Sequence, residues 1–221
     1  MSRLDAYSTP RADVAALLPA TAGSVLDLGC SSGAFGESIR TGRRVVGLDA
    51  AGDTVAAARD RLDAAHHVDL ADPAWPAVLA GERFDAIVAA DVLEHLPDPD
   101  QVLTTAIDAA LAPDGCIIVS LPNIRHVSAL WQIGVAGSFA RRDRGIFDDS
   151  HLRWFTWRDT LRLLGDHGLE VEDWSANLRL LDRPGGVVND RVASILGPWR
   201  RRGPIREFLA YQFVVRARPA R

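Results

Sequence analysis

Asp27, Asp49 and Asp69 each stand in or just beyond an apolar run of strand length, and their order along the chain is a chemical arrangement. Asp27 lies in Val25-Leu26-Asp27-Leu28-Gly29-Cys30-Ser31-Ser32-Gly33-Ala34-Phe35-Gly36, where a buried strand runs into a glycine loop and then a helix. Gly29 and Gly33 permit a tight turn and a close approach of backbone to ligand. A dinucleotide fingerprint would read Gly-x-Gly-x-x-Gly, with its glycines fitted to a pyrophosphate at the helix N-terminus. Here Ser31 takes the middle place. The Asp27 carboxylate at the loop entrance would repel a phosphate and attract an amino group. That arrangement points to the cationic end of an amino acid and disfavours a nicotinamide-dependent oxidoreductase.

Asp49, with Ala50 after it, ends the run Val45-Val46-Gly47-Leu48. A carboxylate in this place accepts the ribose hydroxyls of a nucleoside. Asp69, before Leu70, is placed to accept an adenine amino group. Each aspartate taken alone reads as a turn or cap residue; in series on consecutive strand ends they read as a nucleoside site. A further run, Phe84 to Ala90, ends in Asp91, with Glu94 and His95 within one turn of it.

These residues need elements to hold them. Near-continuous apolar strands imply burial on both faces, as in a parallel sheet covered by helices. Strands are expected at Val25–Leu28, Val45–Leu48, more weakly His67–Leu70, then Phe84–Ala90, Cys116–Leu121, Leu169–Trp174 and Tyr211–Ala217. Between them, Asp98-Pro99 starts a helix that Pro113-Asp114-Gly115 stops, and Thr156-Trp157-Arg158-Asp159 reads as a capping box with Gly168 as the stop. A helix from Thr9-Pro10 is expected within residues 1–20. The alternation gives an open α/β sheet with right-handed crossovers. Residues 124–150 and 177–209 interrupt the rhythm on the carboxyl side of the sheet, where such sheets bind ligands.

Composition narrows the chemistry further. The formal net charge is −4, so no global basic field calls for nucleic acid. All 25 basic residues are arginine, and without lysine neither a Walker-type phosphate loop nor Schiff-base catalysis is available. Cys30 and Cys116 are far apart and lack metal-ligand spacing, which suits a reducing compartment. Met1–Asp5 has no signal-peptide layout and no apolar run approaches a membrane span, so a cytoplasmic location is expected.

From Gly23 to Gly168 the sequence resembles the class I S-adenosylmethionine-dependent methyltransferases, in the glycine loop, in Asp49 and in Phe84-Asp85-x-Ile87-Val88-x-x-Asp91-Val92-Leu93-Glu94-His95-Leu96-Pro97-Asp98. The resemblance implies a single methyltransferase domain over 1–221. Its fold would be a Rossmann-like seven-stranded, mostly parallel sheet with an antiparallel last strand and helices on both faces. Lid insertions would follow strand 5 and precede strand 7. It implies S-adenosylmethionine held by Asp27, Gly29, Cys30, Ser31, Gly33, Asp49, Ala50, Asp69, Leu70, Ala90 and Asp91. A narrower resemblance lies in Leu121-Pro122-Asn123-Ile124-Arg125-His126 and in Gly145-Ile146-Phe147-Asp148-Asp149-Ser150-His151-Leu152-Arg153-Trp154-Phe155-Thr156. These segments look like those of methyltransferases of polysaccharide and glycolipid biosynthesis.

Methyl transfer from a sulfonium is an in-line displacement that needs mainly orientation. A hydroxyl acceptor also loses a proton, which a histidine can take near neutral pH. His151 is the first candidate base and His95 the second; His126 occupies a comparable place, and each could instead serve only to hold its loop. No protein-bound metal is expected, although Asp91-Glu94-His95 and Asp148-Asp149-His151 are clusters that could attract one. Trp131, Trp154 and Trp157 could wall an acceptor ring. Arg141, Arg142 and Arg144, with Arg200, Arg201, Arg202 and Arg206, could meet a phosphorylated or lipid-linked acceptor at a membrane surface, or simply face solvent. The expected activity is O-methylation of a sugar, glycan or other small-molecule hydroxyl, with no nucleic-acid substrate. The alternatives are a quinone-like or polyketide O- or C-methyltransferase, and a non-catalytic cofactor-binding partner protein.

Overall fold

The computed structural model describes residues 10–179 and 205–220. A seven-stranded sheet runs in the order β3-β2-β1-β4-β5-β7-β6. The strands are β1 Ser24–Leu28, β2 Arg44–Asp49, β3 Ala64–His67, β4 Phe84–Ala90, β5 Leu111–Pro122, β6 Leu169–Leu178 and β7 Ala210–Pro219. All pairs from β3 to β5 are parallel, and β7 is antiparallel to both β5 and β6, as expected. The helices are α1 Ala12–Ala15, α2 Ala34–Ile39, α3 Gly52–Ala58, α4 Pro99–Ala110, α5 Val127–Gly134, α6 Trp157–Asp166 and α7 Ile205–Leu209.

Alternation along each strand builds two cores. Leu26, Leu28, Val46, Leu48, Ile87, Ala89, Ile117 and Val119 face one side, with Val102, Leu103 and Ala106 of α4 and Leu163 and Leu164 of α6. Val25, Val45, Ala86, Val88 and Ile118 face the other, with Phe35 and Ile39 of α2 and Val55 and Ala58 of α3. Register then decides where the functional positions fall. Leu28 pairs with Leu48 on one side and Ala89 on the other, so the ends of β1, β2 and β4 share one edge of the sheet.

Both cap expectations hold. The Asp98 side chain accepts from Gln101 N at 3.0 Å. Thr156 and Asp159 exchange both bonds of a capping box at the start of α6.

Three expectations are corrected. The third strand is Ala64–His67 rather than His67–Leu70. It is an edge strand paired to β2 alone. Val68 and Leu70, which carried the apolar signal, lie just past its end and fill the core there. The N-terminal helix, as far as it is described, is only Ala12–Ala15, and Arg11 before it takes a left-handed φ of 44°; residues 1–9 lie outside the described residues. Asn177 and Leu178 belong to β6, because pairing with β7 continues that far. Of the second insertion, 205–209 form α7 and 180–204 lie outside the described residues.

One backbone contact shows how tightly the sheet holds the glycine loop. A Cβ on Gly47 of β2 would sit 2.6 Å from Cys30 Sγ and 2.7 Å from Leu62 Cδ1. Gly47→Ala should therefore destabilise the fold by about 1–3 kcal/mol through overpacking. In α6, Gly165 has nothing within 4 Å of its would-be Cβ. Gly165→Ala should hold or raise stability by up to about 1 kcal/mol. Urea unfolding of the two variants beside the wild type measures both.

Candidate active site

At the shared edge a crevice of about 480 Å³ opens. The chain turns into it at Gly29, whose φ is +72° and whose would-be Cβ would lie 2.4 Å from Val92 Cγ2. Glycine is required there for lack of room as much as for its dihedral. The amides of Gly29 and Cys30 both donate to Leu48 O, at 2.7 and 3.0 Å, tying the loop to β2. Ser31 stands in the left-handed region at φ 47°, a conformation that costs an L-residue roughly 1–2 kcal/mol. The compensating contact is with Asp49, whose Oδ2 accepts the Ser31 amide at 2.7 Å while Oδ1 accepts that of Ala51 at 2.8 Å. Asp49 is thus aimed by the loop, and each oxygen keeps a further acceptor site.

The crevice is lined by Asp27, Gly29, Cys30, Ser31, Asp49, Ala50, Asp69, Leu70, Ala90 and Asp91, ten of the positions expected from the sequence. Gly33 is the exception. It caps α2 at φ +80°, and its would-be Cβ would press on Ala58 Cα at 3.1 Å and Leu62 Cγ at 3.2 Å. Its role is to bring α2 close to the segment after α3. Asp69 Oδ1 accepts the Ala71 amide at 2.9 Å, so this carboxylate shapes its own turn while facing the crevice.

Electrostatics concentrate at Asp27. The side chain is buried, and its Oδ2 has no hydrogen-bond partner among the described residues. Burial, and then the nearby Asp49, push its carboxyl up to about 8, with Arg11 opposing them. Burial also pushes the Cys30 thiol up, so Cys30 is a wall and not a nucleophile.

Arg11 is the residue that sequence reasoning missed. It lines the crevice from the N-terminal side. Its guanidinium donates to Asp91, to Ser120 Oγ at 2.7 Å and to both oxygens of Asp13 at 3.0 Å. Gln212 of β7 donates to the other oxygen of Asp91. Asn177 of β6 donates to Asp13 at 2.8 Å. The only sequence signal was an arginine two residues before an aspartate, which resembles any surface pair.

The histidines separate by position. His95 reaches the crevice; His151 is buried behind it, the rings 4.7 Å apart and nearly perpendicular. His151 Nδ1 bonds the Ile146 carbonyl at 3.2 Å. A carbonyl only accepts, so Nδ1 carries the proton and Nε2 is bare in the neutral ring. Burial, and then His95, lower the His151 pKa. His126 is fully buried, bonded to Ser128 Oγ and Arg179 O at 2.8 Å, and serves structure.

Glu94 adds a third buried group. Neither of its oxygens has a partner among the described residues, and burial followed by Asp91 push its carboxyl well above the usual range. Donor atoms of Glu94, His95 and His151 lie within 4.8 Å of one another; among the described residues this is the group that could hold a cation. Asp148 does not join it, since Oδ1 takes the Ser150 amide at 2.9 Å and the Ser150 hydroxyl. The three tryptophans form no common wall. Trp157 packs on Trp174 and Phe213, Trp154 bonds Ile146 O at 2.9 Å, and Trp131 is exposed. Arg200, Arg201, Arg202 and the side chain of Arg206 lie outside the described residues. No described helix is long and apolar enough to cross a membrane.

Comparison with known proteins agrees with this geometry. A family model described as a methyltransferase domain matches residues 3–173. A ubiquinone biosynthesis O-methyltransferase of Methylobacterium nodulans is 34% identical over 176 residues, covering 78% of this chain. The chain spans 66% of that relative's length, just under two thirds. In fold the chain is similar to a SAM-dependent methyltransferase of Thermotoga maritima, described as a possible histamine N-methyltransferase. The TM-score is 0.63 at 16% identity, covering 99% of this chain and 91% of the other. It is also similar to the magnesium protoporphyrin IX methyltransferase of Synechocystis solved with bound SAH, at a TM-score of 0.58 and 17% identity, covering 98% and 82%.

The raised Asp27 carboxyl predicts a pH dependence. The folded state keeps this proton up to about 8, whereas the unfolded chain releases it near 3.8. Between those values the native state binds the extra proton, so stability falls as pH rises, and the loss is complete above the folded value. Asp27→Asn removes this contribution. Urea unfolding at several pH values should show the variant gaining on the wild type from pH 4 to pH 8.

Proposed function

This chain belongs to the methyltransferase-domain family, and on that premise we propose that it transfers the methyl group of S-adenosylmethionine to a hydroxyl oxygen of a small-molecule acceptor. The observation that carries the reading is the buried, unpartnered Asp27 carboxyl facing a crevice whose other end is set by Asp49. An orphaned buried carboxyl is costly unless a ligand completes it, and an ammonium group beside Asp49 and a ribose does so. Asp27 would hold the amino group, Asp49 the ribose hydroxyls, and Asp69 with Leu70 the adenine. Gly29 leaves the space beside Val92 open, and Arg11 brings positive charge to the amino-acid carboxylate. When bound, S-adenosylmethionine supplies a sulfonium methyl whose departure leaves sulfur neutral.

The chain's own contribution is orientation and proton removal. Holding the acceptor oxygen in line with the methyl group is worth roughly 7–11 kcal/mol. His95, at the crevice wall, is the group placed to take the hydroxyl proton as the oxygen–carbon bond forms. His151, with a bare Nε2 and a depressed pKa, sits behind it and keeps the pair from both being charged. In this arrangement His151 positions His95, the reverse of the order expected from the sequence.

The Methylobacterium relative supports a phenolic, quinone-like acceptor. The Pro122-Asn123 turn and the Asp148 to Thr156 segment support the sugar hydroxyl of a glycan intermediate. Labelled-methyl transfer to phenolic and to sugar acceptor pools separates the two. Label in neither pool, with sound cofactor binding, would favour the non-catalytic partner protein.

Calorimetry should show S-adenosylmethionine binding and no comparable binding of NAD; the opposite result overturns the reading. His95→Ala should lower kcat at saturating acceptor by about 10²–10⁴-fold while leaving cofactor affinity nearly unchanged. His151→Ala should lower kcat less and shift the acidic limb of the pH–rate profile.

A further inference from the structure

The segment after β5 turns an apolar face outward. In α5 only Ala129 is buried, while Leu130 is 40%, Trp131 63% and Ile133 42% exposed. Val135 and Phe139 continue the patch at 64% and 46%. Large apolar side chains clustered at such exposure on one surface call for an occupant.

Charge identifies it. Residues 124–142 contain Arg125, Arg141 and Arg142 and no acidic residue, in a chain of net charge −4. Two of these arginines are held at the patch. Arg142 Nη2 donates to Gln132 Oε1 of α5 at 3.1 Å and its guanidinium lies 6.0 Å from the Phe147 ring; Arg141 lies 5.7 Å from the Trp154 ring. An apolar face with a large aromatic side chain and a basic rim is what a headgroup region accepts. The apolar groups enter the acyl boundary while arginines meet lipid phosphates. A second copy suits it poorly, since a two-fold contact lays the same patch on itself and sets the arginines of one copy against those of the other.

We propose that this face docks the protein on an anionic lipid bilayer. Its position ties docking to the site. Phe139 packs edge-on against Phe147 and Trp154, at 5.0 and 5.1 Å. Trp154 and His151 both bond the carbonyl of Ile146. The docked surface is thus continuous with the loop that buries His151, and an acceptor dissolved in the membrane would meet the crevice from the lid side. Docking itself does not depend on which hydroxyl is methylated.

The test is co-sedimentation of the full chain with vesicles of phosphatidylcholine alone and of phosphatidylcholine with phosphatidylglycerol, at low and high salt. The expected result is binding to the anionic vesicles that weakens with salt. It should fall at least about tenfold in Trp131→Asp/Ile133→Asp. In Arg141→Gln/Arg142→Gln the preference for phosphatidylglycerol should be lost. Neither pair lines the crevice, so calorimetric binding of S-adenosylmethionine by both variants must match wild type and vouches for their folding. If cofactor binding fails in the wild type while vesicle binding persists, the functional reading falls and this one stands. No sedimentation of the wild type with either vesicle overturns the proposal, as does undiminished binding by Trp131→Asp/Ile133→Asp. Light scattering that shows a wild-type dimer, dissolved by that same variant and indifferent to vesicles, assigns the face to a second copy and equally overturns it.

Discussion

Parallel strands in register force like charges together in this molecule. β1, β2 and β4 end at one edge of the sheet, and Asp27, Asp49 and Asp91 come with them. Carboxylates gathered at a half-closed edge repel one another and lose hydration, so each needs a separate remedy. Asp49 is satisfied by two backbone amides of neighbouring turns. Asp91 is clamped between Arg11 and Gln212. Asp27 keeps its proton. The three solutions differ because the surroundings differ, and the differences define a crevice with a hydrogen-bonding end, an ion-paired wall and one unsatisfied buried carboxyl between them.

The ion-paired wall reaches across the chain. Asp91 closes β4, Gln212 belongs to β7, Ser120 to β5, and Arg11 precedes α1. A single guanidinium thus fastens the segment before the first strand to the last third of the sheet. Asp13 and Asn177 extend the same fastening to β6. Such a network is stabilising only while every member is present, because removing one leaves a partly buried charge without its partner. The site and the closure of the fold therefore share residues.

On the acceptor side, buried groups are packed by the loop after α5. Leu152 and Arg153 donate their amides to the Glu94 carbonyl at 2.8 and 3.2 Å, pinning this loop to the turn after β4. That pinning stacks His151 behind His95 and seals Glu94 from solvent. The apolar outer face of the same segment is exposed because the inner face is committed to Ile146, Phe147 and Tyr211.

The sheet, its strand ends and the crevice-lining aspartates were legible in the sequence because burial on both faces writes a continuous apolar run, and a run's end locates a carboxylate at the edge. Cap signals at Asp98 and Thr156 were equally local. What escaped was set by contacts distant in sequence. The third strand was misplaced by three residues because an edge strand buries little, and Val68 and Leu70 answer to the core beyond it. Gly33 looked like part of the ligand cradle, but only the packing of Ala58 and Leu62 shows why it is glycine. Arg11 carries no local pattern, since its partners lie some 80 and 109 residues away. The order of His95 and His151 could not be read either. Two imidazoles in separate loops have no relative depth until the chain between them is folded, and depth decides which one meets the crevice.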